Sequence, residues 1–267
     1  MKHRGSDIPS AVEHDLAALT ALPRPVYGHV GGIANQAIGC PHIHSWAQLS
    51  YAIDGVLEVR TDTGRFIAPP LQAIWIPAHM RHSVHCTATT QLRSLYIDSE
   101  KVRIDWSECR VLGVKPLMRE LIREFSEMPI QYDEHGREGR VVSVLLDQLA
   151  EAPEAGLSLT WPQDSRLDAI CQDIHDHPDL QCTLSDYGKR LQLCERSLSR
   201  LFLYETGMSF RRWRQHSRLL FSLTLLEQGK RVTDVAIACG YESMPAFIAA
   251  FKGQMGFTPK ELFRRAM

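Results

Sequence analysis

The C-terminal third of the chain repeats itself. Residues 184–193 (LSDYGKRLQL) precede apolar Leu198, Leu201 and Phe202, and residues 232–241 (VTDVAIACGY) precede Phe247, Ala250 and Phe251. The offset is 48 residues from Gly188 to Ala236 and 49 from Leu198 to Phe247. Each copy holds a small residue, a turn position four residues on (Gln192, Gly240), and then an apolar stripe at helical spacing. Few folds satisfy this pattern. The small residue lets two helices cross closely, the turn needs backbone that tolerates positive φ, and the stripe docks the second helix while leaving its other face bare. Two helical hairpins of helix-turn-helix type are predicted.

Charge agrees. The whole chain carries 30 Lys and Arg against 31 Asp and Glu, yet residues 187–267 carry 14 against 6. A basic segment on a near-neutral chain is the footprint of an anionic partner, nucleic acid first. Leu219, Leu223 and Leu226 repeat at helical spacing between the copies and predict one long connector. A rigid connector would set both reading helices in adjacent major grooves, about 34 Å apart. Thr183-x-x-Asp186 resembles a capping box, and Thr258-Pro259-Lys260-Glu261 is a full one with Pro at the first helical position.

Residues 160–267 resemble the DNA-binding domain of the AraC/XylS family of bacterial transcription regulators. The resemblance rests on SLSRLF (197–202), ETGMSFRRW (205–213), RLL (218–220), VTDVAIACGYES (232–243), AFIAAF (246–251) and GFTPKELFRR (256–265). It implies two helix-turn-helix units on double-stranded DNA in a protein that acts as activator or repressor, with RNA polymerase as partner where it activates. By position in that pattern, the first reading helix spans about 195–204 and turns Arg196, Ser199 and Arg200 toward the bases. Arg bonds guanine O6 and N7 in bidentate fashion. The second spans about 243–253 and presents Ser243, Met244, Pro245, Ile248 and Ala249, a face with little hydrogen-bonding capacity. Base readout is therefore expected mainly from the first unit. Arg211, Arg212, Arg214, Lys230, Arg231 and Lys252 are expected on phosphates, which position the protein without specifying sequence. Two residues depart from the family pattern. Cys194 stands at an N-cap where Ser is usual, and is read as an inert, buried thiol. Gln192 stands where the turn usually has Gly.

The N-terminal part has another texture. From about 26 to 100, short apolar runs (48–53, 55–60, 73–76, 91–97) alternate with Gly, Pro and Asp, which suggests a small barrel or sandwich, with a hairpin at Asp54-Gly55. Helical periodicity takes over from about 115 to 152, with stripes Leu117, Leu121, Phe125 and Val141, Val144, Leu145, Leu149. The run 152–156 (APEAG) breaks it. The organisation expected is a barrel over 1–114, a helical segment over 115–156 and a helical DNA-binding domain over 157–267: a two-domain α+β chain.

His42, His44, Trp46 and Gln48 share strand parity and hence one face. Two imidazoles and a carboxamide on an inner face suit a divalent metal or a polar ligand, and the segment from Pro77 to His85 offers a further group. The pair resembles the two cupin motifs, H-x-H-x3-E-x6-G and P-x-G-x2-H, carried here over about 26–100. Gln48 stands for the usual Glu, and His79 for the second motif's Gly. The implied ligand set is His42, His44, Gln48 and His82, able to hold Zn, Ni, Cu or Fe(II). A metal-free organic-ligand pocket and a purely structural cluster remain open. Trp46 either stacks on a ligand or belongs to the core. Sensor barrels of this type precede AraC-type DNA-binding domains in many regulators, and their helices often pair as dimers.

Two functions from different classes follow. One is a transcription regulator controlled by a small molecule or metal in the barrel. The other is a cupin enzyme, a metal-dependent dioxygenase or isomerase, against which stands the missing carboxylate at position 48. No apolar run approaches the ~18 residues of a membrane span. The seven Cys form no C-x-x-C pair, and the opening MKHRGSDIPS has no apolar core of a secretory signal. Reduced thiols in a cytoplasmic protein are expected.

Overall fold

The computed structural model describes residues 21–28, 39–53, 56–86, 90–102, 104, 106–154 and 157–261. The expected hairpin at Asp54-Gly55 lies outside them. Among the described residues, nine antiparallel-paired strands form two sheets: β1 (Val26–Tyr27), β2 (Ala47–Ala52), β3 (Leu57–Thr61), β4 (Gly64–Ala68), β5 (Gln72–Ile76), β6 (His82–Cys86), β7 (Leu92–Ile97), β8 (Arg110–Gly113) and β9 (Leu157–Thr160). One sheet has the order β1-β7-β2-β5-β8, the other β6-β3-β4-β9. Ala52, Ile74, Ile76, Leu92 and Val111 of the first meet Leu57, Val59, Ala68 and Val84 of the second in a shared core.

The period-2 alternation of β2 divides its side chains. Leu49 and Tyr51 face outward with Trp75 and Leu95, onto helices α1 (Pro116–Glu127) and α2 (Arg137–Ala150), where Ile122, Phe125, Leu145 and Leu149 cover them. Gln48 and Ser50 take the other parity, in toward the barrel. The helical stripes thus close one side of the barrel. Leu117 and Val144 remain exposed on the helices' outer side.

The chain does not leave the barrel where the break at 152–156 suggests. Residues 157–160 continue as β9, pairing Arg65 with Leu159 and Gly64 with Thr160. A four-residue strand carries too little periodicity to be seen in the sequence. The C-terminal domain then builds from α3 (Ser165–Asp176), α4 (Leu184–Leu191), α5 (Glu195–Thr206), α6 (Phe210–Glu227), α7 (Val232–Ala238) and α8 (Met244–Met255). Leu167, Ile170, Leu198, Phe202, Trp213, Leu219, Leu223, Phe247 and Phe251 form its core. Among the described residues, no helix is long and apolar enough to cross a membrane.

Candidate ligand site and DNA-binding face

The two repeat copies are helix-turn-helix units. In the first, α4 turns into α5 at Gln192, whose φ of 55° is left-handed. A Cβ on Gly188 would lie 2.7 Å from the Leu193 carbonyl oxygen, so only Gly fits that crossing. In the second, α7 turns into α8 through Gly240, φ 71°, with Ala236 buried at the crossing. The capping box at Thr183 and Asp186 is complete. Thr258 and Glu261 make the reciprocal pair of bonds.

α6 is the connector, 18 residues and about 27 Å long. Its Arg218 is buried, and the guanidinium donates to the carbonyls of Pro178 (2.7 Å), Leu180 (3.1 Å) and Gly240 (3.2 Å). One side chain thereby ties the turn of the second unit to the loop that leads into the first.

Arg196, Ser199 and Arg200 lie exposed along α5, around the buried stripe of Leu198 and Phe202. On α8, Ser243 is the N-cap and accepts from the Ala246 N–H, while Met244, Pro245 and Ala249 are exposed and Ile248 is half-buried. Arg211, Arg212, Lys230, Arg231 and Lys252 are exposed. Arg214 is half-buried: it donates to the Cys182 carbonyl (2.7 Å) and stacks over Phe210. Cys194 caps α5 without a side-chain cap bond. It is exposed, not buried as the sequence reading has it, because the N-cap of α5 lies at the surface where the reading face begins. Ser197, 3.1 Å from its sulfur, holds the thiol below its ordinary pKa.

The second site lies in the barrel. His42, His44 and His82 converge, with ligand nitrogens all within 4.8 Å of one another. A bridge between the segment at His42 and the start of β6 brings them together: His42 and His82 exchange both main-chain hydrogen bonds. His79 occupies the position of the cupin glycine and adopts the conformation Gly would serve there, φ 62°, with its N–H on the His44 carbonyl.

The hydrogen bonds determine the tautomers. His42 Nδ1–H donates to the Cys40 carbonyl (3.1 Å), His44 Nδ1–H to the Trp46 carbonyl (2.7 Å) and His82 Nδ1–H to the Met80 carbonyl (2.8 Å). A carbonyl only accepts, so each Nδ1 carries the hydrogen and each Nε2 carries the lone pair. Burial disfavours the charged form of two of them: it lowers the pKa of His44 and pushes that of His82 down to about 3. Gln48 Oε1 lies 3.0 Å from His44 Nε2 and 3.2 Å from His82 Nε2. Its amide nitrogen donates to Ser50 (2.8 Å) and Ser94 (3.2 Å).

Trp46 is buried and lies flat on His44, ring centroids 5.6 Å apart, with Tyr96 edge-on to His44 at 5.4 Å. The two rings wall the imidazole in. Ser50 shares the parity of Gln48 and was legible. Ser94 and Tyr96 come from β7 through the register Ser50↔Ser94 and Gln48↔Tyr96, which no local pattern reports.

Comparison with known proteins decides what carries these two sites. A helix-turn-helix domain model matches residues 187–265, and a model of the AraC-like ligand binding domain matches residues 25–148. The HTH-type transcriptional regulator NimR of Escherichia coli K12 is 32% identical over 224 residues, 84% of this chain and 82% of its own length. The chain belongs to the AraC family of transcription regulators. This regulator is also 32% identical over 105 residues to the transcriptional activator RhaR of Yersinia pseudotuberculosis, covering 39% of the chain and 36% of RhaR. Among solved structures, ToxT from Vibrio cholerae O395 aligns with 90% of the regulator and 96% of its own chain, at 14% identity and a TM-score of 0.38. The regulator binds DNA through its two helix-turn-helix units and carries a ligand-binding barrel ahead of them. Relatives named as regulators set the enzyme reading aside.

Proposed function

We propose that this regulator is controlled by a divalent transition metal held in the barrel by His42, His44, His82 and Gln48, alone or as the anchor of a small-molecule effector. One observation carries the reading: Gln48 Oε1 and two imidazole Nε2 atoms present lone pairs to each other at 3.0 and 3.2 Å. Neutral groups so arranged repel. A cation among them removes the repulsion. Donor atoms about 2.1 Å from one metal, at right angles, stand about 3 Å apart, so the spacing fits. Every Nδ1–H is already engaged by a carbonyl, the outer bond that orients a metal-bound imidazole. The metal would supply a Lewis-acidic point of attachment. The chain's part is to aim three lone pairs and a carboxamide oxygen at it and to exclude water with Trp46 and Tyr96.

A metal-free organic-ligand pocket is the second reading. It gains from the same facts if the Gln48 amide is reversed. Its NH₂ then donates to both Nε2 atoms and its oxygen accepts from Ser50 and Ser94, which leaves the network satisfied.

Three further parts of the proposal rest on separate grounds. Exposed Leu117 (53%) and Val144 (42%) on α1 and α2 support a homodimer. The matched relative RhaR is named an activator, which supports RNA polymerase as partner at some promoters. Action on DNA supports a cytoplasmic location.

Elemental analysis of the purified protein beside His44→Ala tests the metal. One metal per chain, lost in the variant, supports it. No metal in either, even after incubation with zinc, selects the organic-ligand pocket.

A further inference from the structure

The sensor sheet and the first helix-turn-helix unit share a linker that both of them grip. On the sensor side, β9 is the edge strand of the β6-β3-β4-β9 sheet, and the Trp161 N–H extends the pairing to the Thr63 carbonyl (3.2 Å). The Arg65 guanidinium lies 3.9 Å over the Trp161 ring and donates to Gln172 of α3 (3.2 Å). The Gln163 amide donates to the Asp62 carbonyl in the β3–β4 turn (2.6 Å). On the other side, Glu205 near the end of α5 accepts the main-chain N–H of Gln163 (2.9 Å) and of Asp164 (3.2 Å). Trp213 at the start of α6 donates to the Thr160 carbonyl (3.0 Å). These contacts land on the linker, α3, α5 and the start of α6. The second unit is held differently, by packing on α6 and by Arg218.

We infer that the barrel acts on DNA through the first helix-turn-helix unit, and that Glu205 is the positioning residue that transmits its state to α5. Arg196, Ser199 and Arg200 are exposed while Glu205 holds the linker, so the contact orients the reading helix without covering it. His82 opens β6, and the sheet runs from it through β3 and β4 to β9, so a shift at the imidazole cluster reaches the linker along continuous main-chain hydrogen bonds. A lever on α5 is also where it has most effect, since sequence is read there. This rests on the barrel being the ligand-binding domain, not on what it binds.

The test uses the full-length protein and a duplex selected from a random library by that protein. Affinity is measured for the intact duplex and for two versions, each with one half-site scrambled. Glu205→Ala and Arg65→Ala are compared with wild type, both checked for unchanged thermal unfolding, and Glu205→Gln, which keeps an acceptor oxygen, serves as rescue. Both Ala variants are expected to lose about tenfold on the intact duplex and on the one keeping the first unit's half-site. They should bind within twofold of wild type where that half-site is scrambled, and Glu205→Gln should recover most of the loss. Equal losses on all three duplexes, or no loss on any, overturn the inference. A parallel series with zinc or with EDTA separates the two readings. If zinc changes nothing in wild type, the metal proposal fails while the half-site result stands by itself.

Discussion

Gln48 Oε1 lies 3.0 Å from His44 Nε2, and with the Gln48 amide in this orientation the two atoms meet as acceptors. The Nδ1–H of His44 is already on the Trp46 carbonyl, and the amide hydrogens of Gln48 are on Ser50 and Ser94. That arrangement of acceptors is what the proposed metal would relieve, and reversing the Gln48 amide is the alternative that would relieve it without one.

Exchanging the neutral amide for a carboxylate should therefore strengthen metal binding. Gln48→Glu is expected to raise zinc affinity by about tenfold or more, and Gln48→Leu to lower it by a similar factor, the scale on which ligand and outer-shell changes act. Competition against a chromogenic chelator gives both values. Equal affinities in all three proteins would remove Gln48 from the ligand set.

The turn of the first unit stores strain that a smaller residue would release. Gln192 is exposed and left-handed at φ 55°, where a Cβ costs about 1 kcal/mol. Gln192→Gly should stabilise the domain by about 0.5–1 kcal/mol, seen as a higher urea midpoint with unchanged m-value. A lower midpoint would show that the side chain contributes more than its backbone costs.

Much of this was legible, and the exceptions have physical reasons. The repeat located both turns, and the residues that depart from glycine at position 192 and at position 79 still take the left-handed conformation glycine serves. Parity placed Gln48 with His44. What escaped was long-range pairing: Ser94 and Tyr96 join the site only through β7, and Glu205 meets the linker only because α5 packs beside it. β9 escaped because four residues show no period. Cys194 was misjudged because thiols are mostly buried, a habit that a helix cap at the surface overrides.

That cap yields a second stability prediction. Cys194 meets Ser197 side chain to side chain but makes no side-chain cap bond, whereas Ser209 and Ser243 cap their helices by accepting from the Arg212 and Ala246 N–H groups. Cys194→Ser should add about 1 kcal/mol. A gain near zero would mean that water already satisfies these N–H groups.

Stability should fall in mild acid, and His216 is one identifiable cause. It is buried on α6, and burial first, then Arg212, lowers its pKa from 6.5. It takes up a proton less readily in the folded protein than in the unfolded chain, which does so below about 6.5. Its contribution is therefore present above pH 6.5 and lost as the pH falls. Wild type should lose up to about 1.4 kcal/mol per pH unit more than His216→Gln between pH 6 and 5, by urea unfolding. Parallel pH curves for the two proteins would rule this cause out.

The two reading faces differ in chemistry, so the operator should be read unevenly. α5 exposes Arg196, Ser199 and Arg200, while α8 exposes Met244, Pro245 and Ala249. Two guanidiniums discriminate bases by bidentate bonds, whereas an apolar face adds at most contact with a thymine methyl. Substituting single base pairs should cost about 1–3 kcal/mol at the two or three positions under α5, and well under 1 kcal/mol under most of α8. Arg196→Ala should flatten the profile in its own half-site. Arg211→Ala, at an expected phosphate contact, should weaken every sequence alike and lower the salt slope by about one. A steeper profile under α8 than under α5 would reverse the assignment of the two units.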